Sequence, residues 1–193
     1  MARTPLDVCN AALALIGANA IATFDDGSVE GVACGQLYEN CVGFALLTPG
    51  GSPMRWSFAT RQERLAPLTD TPAGRWTKAW AMPASQLKIH AVTESDTPIA
   101  FAIYGDKIFT DQHDDLICDH SFRTHESLWP ADFADAVSRE MAARLALALN
   151  ENADLAAEIR KGLFWSGVRT ADSQQRTSRR LRATRLRSAR FGR

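Results

Sequence analysis

Apolar residues recur at helical spacing toward both ends of the chain and at strand spacing in its middle. Leu6, Cys9, Leu13 and Ile16 lie three and four residues apart, which places them on one face of an amphipathic helix. Thr4 is a capping residue, Pro5 suits the first helical position, and Gly17 is a stop signal. Residues 23–27 read as a loop, and Ser28 caps a second helix with the ridge Val29, Ala33, Leu37, Cys41 and Ala45. Pro49, Gly50, Gly51 and Pro53 break it. Trp56, Phe58 and Leu65 mark a short third piece, helical or extended, and Pro67 and Pro72 bound the loop that follows.

The period then changes. Leu87, Ile89 and Ala91 alternate with polar residues, and Ile99, Phe101 and Ile103 alternate with alanines. Gly105-Asp106 separates Ile103-Tyr104 from Ile108-Phe109 as a two-residue hairpin turn of type II′ would. Cys118, His120 and Phe122 alternate again, so a small antiparallel sheet is expected over residues 87–122. After Pro130 the helical ridge returns through Phe133, Val137, Met141, Leu145 and Leu149. A kink follows at residues 150–154, and Leu155, Ile159 and Leu163 carry a last helix toward Arg169. The expected fold class is mainly α, of the α+β kind. Residues 1–82 and 130–171 would form a helical bundle drawn from both chain ends. Residues 83–129 would form an inserted antiparallel β subdomain, and residues 172–193 an extended C-terminal tail.

Charge sharpens the last division. Residues 172–193 hold eight arginines and one aspartate, a net +7, whereas residues 1–171 hold 14 basic and 21 acidic residues, a net −7. An acidic body with a basic tail points to a tail that reaches for nucleic acid, an acidic partner surface or a membrane, and charge alone does not choose. Leu181, Leu186 and Phe191 are the tail's sizeable apolar residues, too few to build a core. No apolar run approaches the roughly 20 residues of a membrane span. The opening residues lack a signal-peptide layout, so synthesis in the cytoplasm is expected.

Candidate chemistry is sparse. Cys9, Cys34, Cys41 and Cys118 form no C-x-x-C pair and read as buried thiols. Cys118, His120 and His125 are near one another in sequence but lack metal-ligand spacing, and His90 and His113 stand apart. The acid pairs Asp25-Asp26 and Asp114-Asp115 read as turn residues rather than a general acid and base. Gly27, Gly31 and Gly35 read as close packing rather than a phosphate loop, and Trp56, Trp76, Trp80, Trp129 and Trp165 as core or interface anchors. No nucleophile elbow, Walker loop or dinucleotide fingerprint is present. The expectation is therefore no catalytic residue, no metal and no cofactor.

Segments spread over nearly the whole chain resemble the head–tail adaptor proteins of tailed phages, the tail tubular protein A type, and their relatives in gene transfer agents. The run from Leu6-Asp7-Val8-Cys9-Asn10 to Ile16-Gly17 is similar to that family's opening helix. Cys34, Tyr38 and the run to Leu46 are similar to its second helix. Trp56-Ser57-Phe58-Ala59 with Arg61 and Leu65 resembles its tryptophan-centred segment, and Trp80, Met82, Pro83 and Leu87 the entry to its sheet. Tyr104-Gly105-Asp106-Lys107-Ile108-Phe109-Thr110-Asp111 resembles its central hairpin. Trp129-Pro130 with Phe133, Ala136, Met141-Ala142 and Leu145-Ala146 resembles its long helix, and Ala189-Arg190-Phe191-Gly192-Arg193 its terminus. Residues 48–54 add a glycine- and proline-rich loop that the family usually lacks, and the tail is richer in arginine.

The resemblance implies a virion structural protein at the head–tail neck, a ring, often of twelve copies, docked on the portal protein. The ring would continue the DNA channel, pass DNA without sequence-specific binding, and receive the next tail or stopper component. The C-terminal segment would lie against the portal, with Leu181, Arg185, Leu186, Arg187, Arg190, Phe191, Gly192 and Arg193 as the contact candidates. No membrane partner is implied. Two other readings compete: a nucleic-acid-binding protein using the arginine tail, which salt-dependent binding would favour, and a small cytoplasmic enzyme, which a convergent polar pocket would favour.

Overall fold

The computed structural model describes residues 3–69, 74–111, 114–163 and 165–175. It is a mixed helix and antiparallel-sheet protein. The first helix, α1 (Pro5–Leu15), begins as its sequence dictates. The Thr4 hydroxyl accepts from the Asp7 N–H at 3.2 Å, and the Asp7 carboxylate accepts from the Thr4 N–H at 2.8 Å, a complete capping box. Helix α2 (Val29–Leu47) starts at Ser28, whose Oγ accepts from the Gly31 N–H at 2.9 Å, and stops before Pro49. Asn10 ties the connecting loop down by exchanging two hydrogen bonds with the backbone of Ile21.

The chain then becomes extended: β1 (Thr60–Arg64), β2 (Lys78–Ala81), β3 (Gln86–Glu94), β4 (Thr97–Pro98), β5 (Ala102–Tyr104), β6 (Lys107–Thr110) and β7 (Ile117–Phe122). These form two antiparallel sheets, ordered β1-β7-β3-β4 and β2-β6-β5. The sequence suggested a single sheet inside residues 83–129, and the structure corrects both points. β1 and β2 precede residue 83, because the charged run Thr60–Arg64 pairs with β7 although it shows no apolar alternation. Residues 124–129 lie with the helices: Trp129 is buried in their core and Glu126 bonds to α2.

Helix α3 (Ala131–Asn150) ends at Glu151 in the left-handed conformation, φ +49°. The expected single last helix is two, α4 (Ala153–Lys161) and α5 (Trp165–Gln175). Helix α3 is central: α1, α2, α4 and α5 all pack on it. Its apolar face, from Phe133 to Leu145, joins Val8, Leu13, Tyr38, Leu46 and Trp56 in one core. A second core lies in the sheets, built from Leu65, Trp80, Val92, Ile108, Leu116 and Cys118. Each large side chain so enclosed contributes roughly 1.5–3 kcal/mol. Among the described residues no helix is long and apolar enough to cross a membrane.

Candidate functional site

The C-terminal contact candidates Leu181, Arg185, Leu186, Arg187, Arg190, Phe191, Gly192 and Arg193 lie outside the described residues. The structure does describe what leads to them. Asp172, placed by sequence at the start of the tail, belongs to α5 and is only 4% exposed. Its carboxylate accepts from the Ser57 N–H at 2.9 Å and from the Ser57 hydroxyl. One turn earlier, Arg169 donates to the Pro49 carbonyl. At the helix start Trp165 packs 6.5 Å from Trp56 and 6.3 Å from Phe133, ring centre to ring centre, and against Gly50. The loop of residues 48–54 is thus the shelf on which α5 rests. The ordered body runs at least to residue 175, because a buried aspartate with two donors is a helix anchor and not a solvated tail residue.

Several of the polar residues singled out in sequence have local partners, and His113 lies outside the described residues. Asp26 accepts from the Ser28 hydroxyl and from the N–H groups of Ser28 and Ala22, and those hydrogen bonds hold its carboxyl below the ordinary range. Asp114 pairs with Lys78, and Asp115 with Arg64 at 3.1 Å. A Cβ on Gly31 would meet Asp26 Oδ1 at 2.6 Å, so this glycine serves close approach of the α1–α2 loop. Burial raises the thiol of Cys41 to about 12 and that of Cys118 to about 11. Trp56 donates to the Ala45 carbonyl at 2.9 Å and Trp80 to the Thr110 hydroxyl at 2.8 Å, as expected of core indoles.

Sheet β1-β7-β3 carries two polar clusters that periodicity did not reveal. Arg61 sits opposite His120, and its Nε donates to His120 Nε2 at 3.2 Å. Glu63 Oε2 lies 3.0 Å from the Arg61 guanidinium. His120 is fully buried, and its Nδ1 has no partner among the described residues. On the other face, Asp119 accepts from Arg55 at 3.0 Å and from Gln62 at 2.8 Å. Beside it His90 Nε2 and Ser121 Oγ lie 2.7 Å apart. Burial, with Arg55 and Lys88 nearby, holds the His90 imidazole below its ordinary value. A Ser–His contact suggests a nucleophile and its base. Ser121, however, is 2% exposed, and neither residue lines any of the three clefts described below. Among the described residues no group of three or more His, Cys, Asp or Glu could hold a metal.

The described residues include three clefts. A groove of about 240 Å³ runs between α1 and α3, lined by Val8, Ala11, Leu15, Ala131 and Ala134 with Arg3, Asp7 and Asp135 at its rim. A larger one, about 510 Å³, lies between the β5–β6 turn and residues 81–86, with Leu68, Met82 and Pro83 facing Asp106 and Lys107. The third, between Trp56, Phe133 and Asp172, is filled by its own side chains.

No family model and no curated protein matches this sequence. The geometry therefore has to carry the functional reading. It places apolar side chains outward on both units: Val29 at 72% and Val32 at 50% exposed on α2, and Ile103 at 44% and Tyr104 at 55% on β5.

Proposed function

We propose that this protein is a structural adaptor at the head–tail neck of a phage-like particle. In this reading it assembles as a ring on the portal, of about twelve copies in the form the resemblance implies, and continues the DNA channel toward the tail. The observation that carries the proposal is the division of the chain. Helices from both ends pack around α3, while the intervening residues build sheets with a core of their own. Such a body offers two separate faces, one for each neighbour in a stack of rings. The helical unit would be the bundle that stands beside its copies in the ring, a closed heterologous contact. The segment beyond α5 has eight arginines in 18 residues and no acid, and can pair bidentately with carboxylates of a portal. The net −7 of residues 1–171 suits a channel that must let DNA slide, since basic walls would hold phosphates.

The test is removal of the gene from a particle-producing strain. DNA-filled heads without tails are expected, with tails restored by the protein supplied in trans. Normal tailed particles without it would overturn the proposal. The arginine segment also suits a second reading, nucleic-acid binding. That reading requires the isolated protein to bind duplex DNA with an affinity that falls steeply with salt.

A further inference from the structure

The two sheets have four edges, and three of them are closed. The β1 edge carries Arg61, Glu63 and Arg64, charges that discourage strand addition. The β4 edge pairs with β3 only at Thr93 and Glu94 and ends in Pro98, and the rest of β3 on that side carries Lys88 and two irregularities of register, which discourage strand addition as well. The β2 edge is covered by its own chain: Leu68 donates to the Ala79 carbonyl and Ala81 to the Ala66 carbonyl, both at 2.9 Å. The fourth edge, β5, has no charge, no proline and no cover among the described residues.

Register fixes what this edge presents. Gly105 at φ +61° and Asp106 form a two-residue turn, so Tyr104 and Lys107 close the hairpin and exchange both their hydrogen bonds. The next pair, Ile103 and Ile108, is then a non-hydrogen-bonded pair. The N–H and C=O of Ile103 consequently point away from β6, outward from the sheet. Directly opposite residues share a face, so Ile103 stands on the face of Ile108, which is fully buried in the sheet core. The core face therefore runs out to an edge where Ile103 is 44% exposed.

We propose that β5 receives an extended strand from a different protein, which pairs with the Ile103 backbone and covers its side chain. A second copy of this chain is the poorer occupant. Its β1 edge brings charge, its β4 edge brings proline and its β2 edge is covered. Pairing β5 with β5 is isologous and consumes the edge in a dimer. The occupant needs an uncharged residue beside Ile103 and main-chain groups free to pair, the chemistry of strand addition. This inference rests on the adaptor reading in one respect: the occupant would be the tail-side neighbour, since the arginine segment is assigned to the portal.

Ile103→Pro is the discriminating variant. It removes the outward N–H, which an edge strand tolerates, together with the exposed isoleucine side chain, the two features the occupant would engage, and leaves the N–H and C=O groups of the β5–β6 ladder in place. Particles carrying I103P should bind the adaptor to filled heads at the wild-type level, while the tailed fraction falls roughly tenfold or more. Hydrogen exchange of the Ile103 amide in wild-type protein needs no variant, and should be fast in the free subunit and slow in the particle. Wild-type tail numbers with I103P, or an amide that exchanges equally fast in both states, would overturn strand addition and leave the adaptor reading standing. Free wild-type subunits that dimerise while I103P stays monomeric would overturn the assigned occupant. Absence of the wild-type protein from the particle neck would overturn the adaptor reading itself.

Discussion

Glu126 holds the joint between sheets and helices through two side chains. It is 3% exposed, accepts from the Tyr38 hydroxyl at 2.8 Å, and pairs with Arg123, which also grips Glu39 on α2 at 3.1 Å. Burial alone would raise its carboxyl, but the hydrogen bonds from Arg123 and Tyr38 outweigh that and leave it below the ordinary range. Glu126→Gln should therefore cost about 1.5–3 kcal/mol, the worth of hydrogen bonds to a charged group, read as a lower urea midpoint at unchanged slope. The sign with pH follows from the depressed value. The carboxylate's contribution is complete above its unfolded value of about 4.3 and is lost as pH falls through the lower folded value. The gap between wild type and E126Q should thus close in acid. His90, also depressed, favours its neutral form in the folded protein. Its contribution is complete above about pH 6.5 and declines as pH falls from there toward the folded value. His90→Gln should remove that decline between pH 6.5 and 5, measured as the pH dependence of the urea midpoint.

Helix α5 shows how an element can be held by tertiary partners rather than by its own pattern. Its sequence, WSGVRTADSQQ, includes a glycine and several weak helix formers, and a helix of 11 residues is marginal alone. Trp165, Arg169 and Asp172 supply what propensity lacks. Asp172→Ala should leave the partly buried Ser57 donors unpaired and cost about 1–3 kcal/mol, with faster amide exchange along α5 than along α3. The β5–β6 hairpin is the opposite case, written locally. Gly105 occupies a positive φ, and Gly105→Ala should lower stability by about 1–2 kcal/mol, read by thermal unfolding.

For the whole molecule, the decisive comparison is between two truncations. Removing residues 176–193 leaves α5 and its Asp172 anchor in place. This chain should fold with the thermal midpoint of the full protein and fail to join filled heads. Removing residues 172–193 also takes the anchor, and should lower the midpoint as well. Equal midpoints would mean that Asp172 contributes nothing to the body. Normal tailed particles from the shorter deletion would mean that the arginine segment is not the portal contact.

What the sequence determined was whatever short-range chemistry controls. The starts of α1 and α2 follow from Thr4-Pro5 and Ser28, because a cap and its acceptors lie within three residues. The two-residue turn at Gly105-Asp106 and the i, i+4 ridge of α3 were legible for the same reason, as was the mixed α+β class. The charged strand Thr60–Arg64 was not, because an edge strand with both faces partly wet needs no apolar alternation. The splitting of the strands into two sheets and the burial of Asp172 depend on partners 26 to 115 residues away. The open β5 edge is likewise a property of topology: Ile103 reads as an ordinary alternating residue until the order of the strands shows that no described strand lies beside it. Local hydrogen bonds and periodicity are encoded within a few residues. Which backbone groups remain unpaired is decided only when the whole chain has closed.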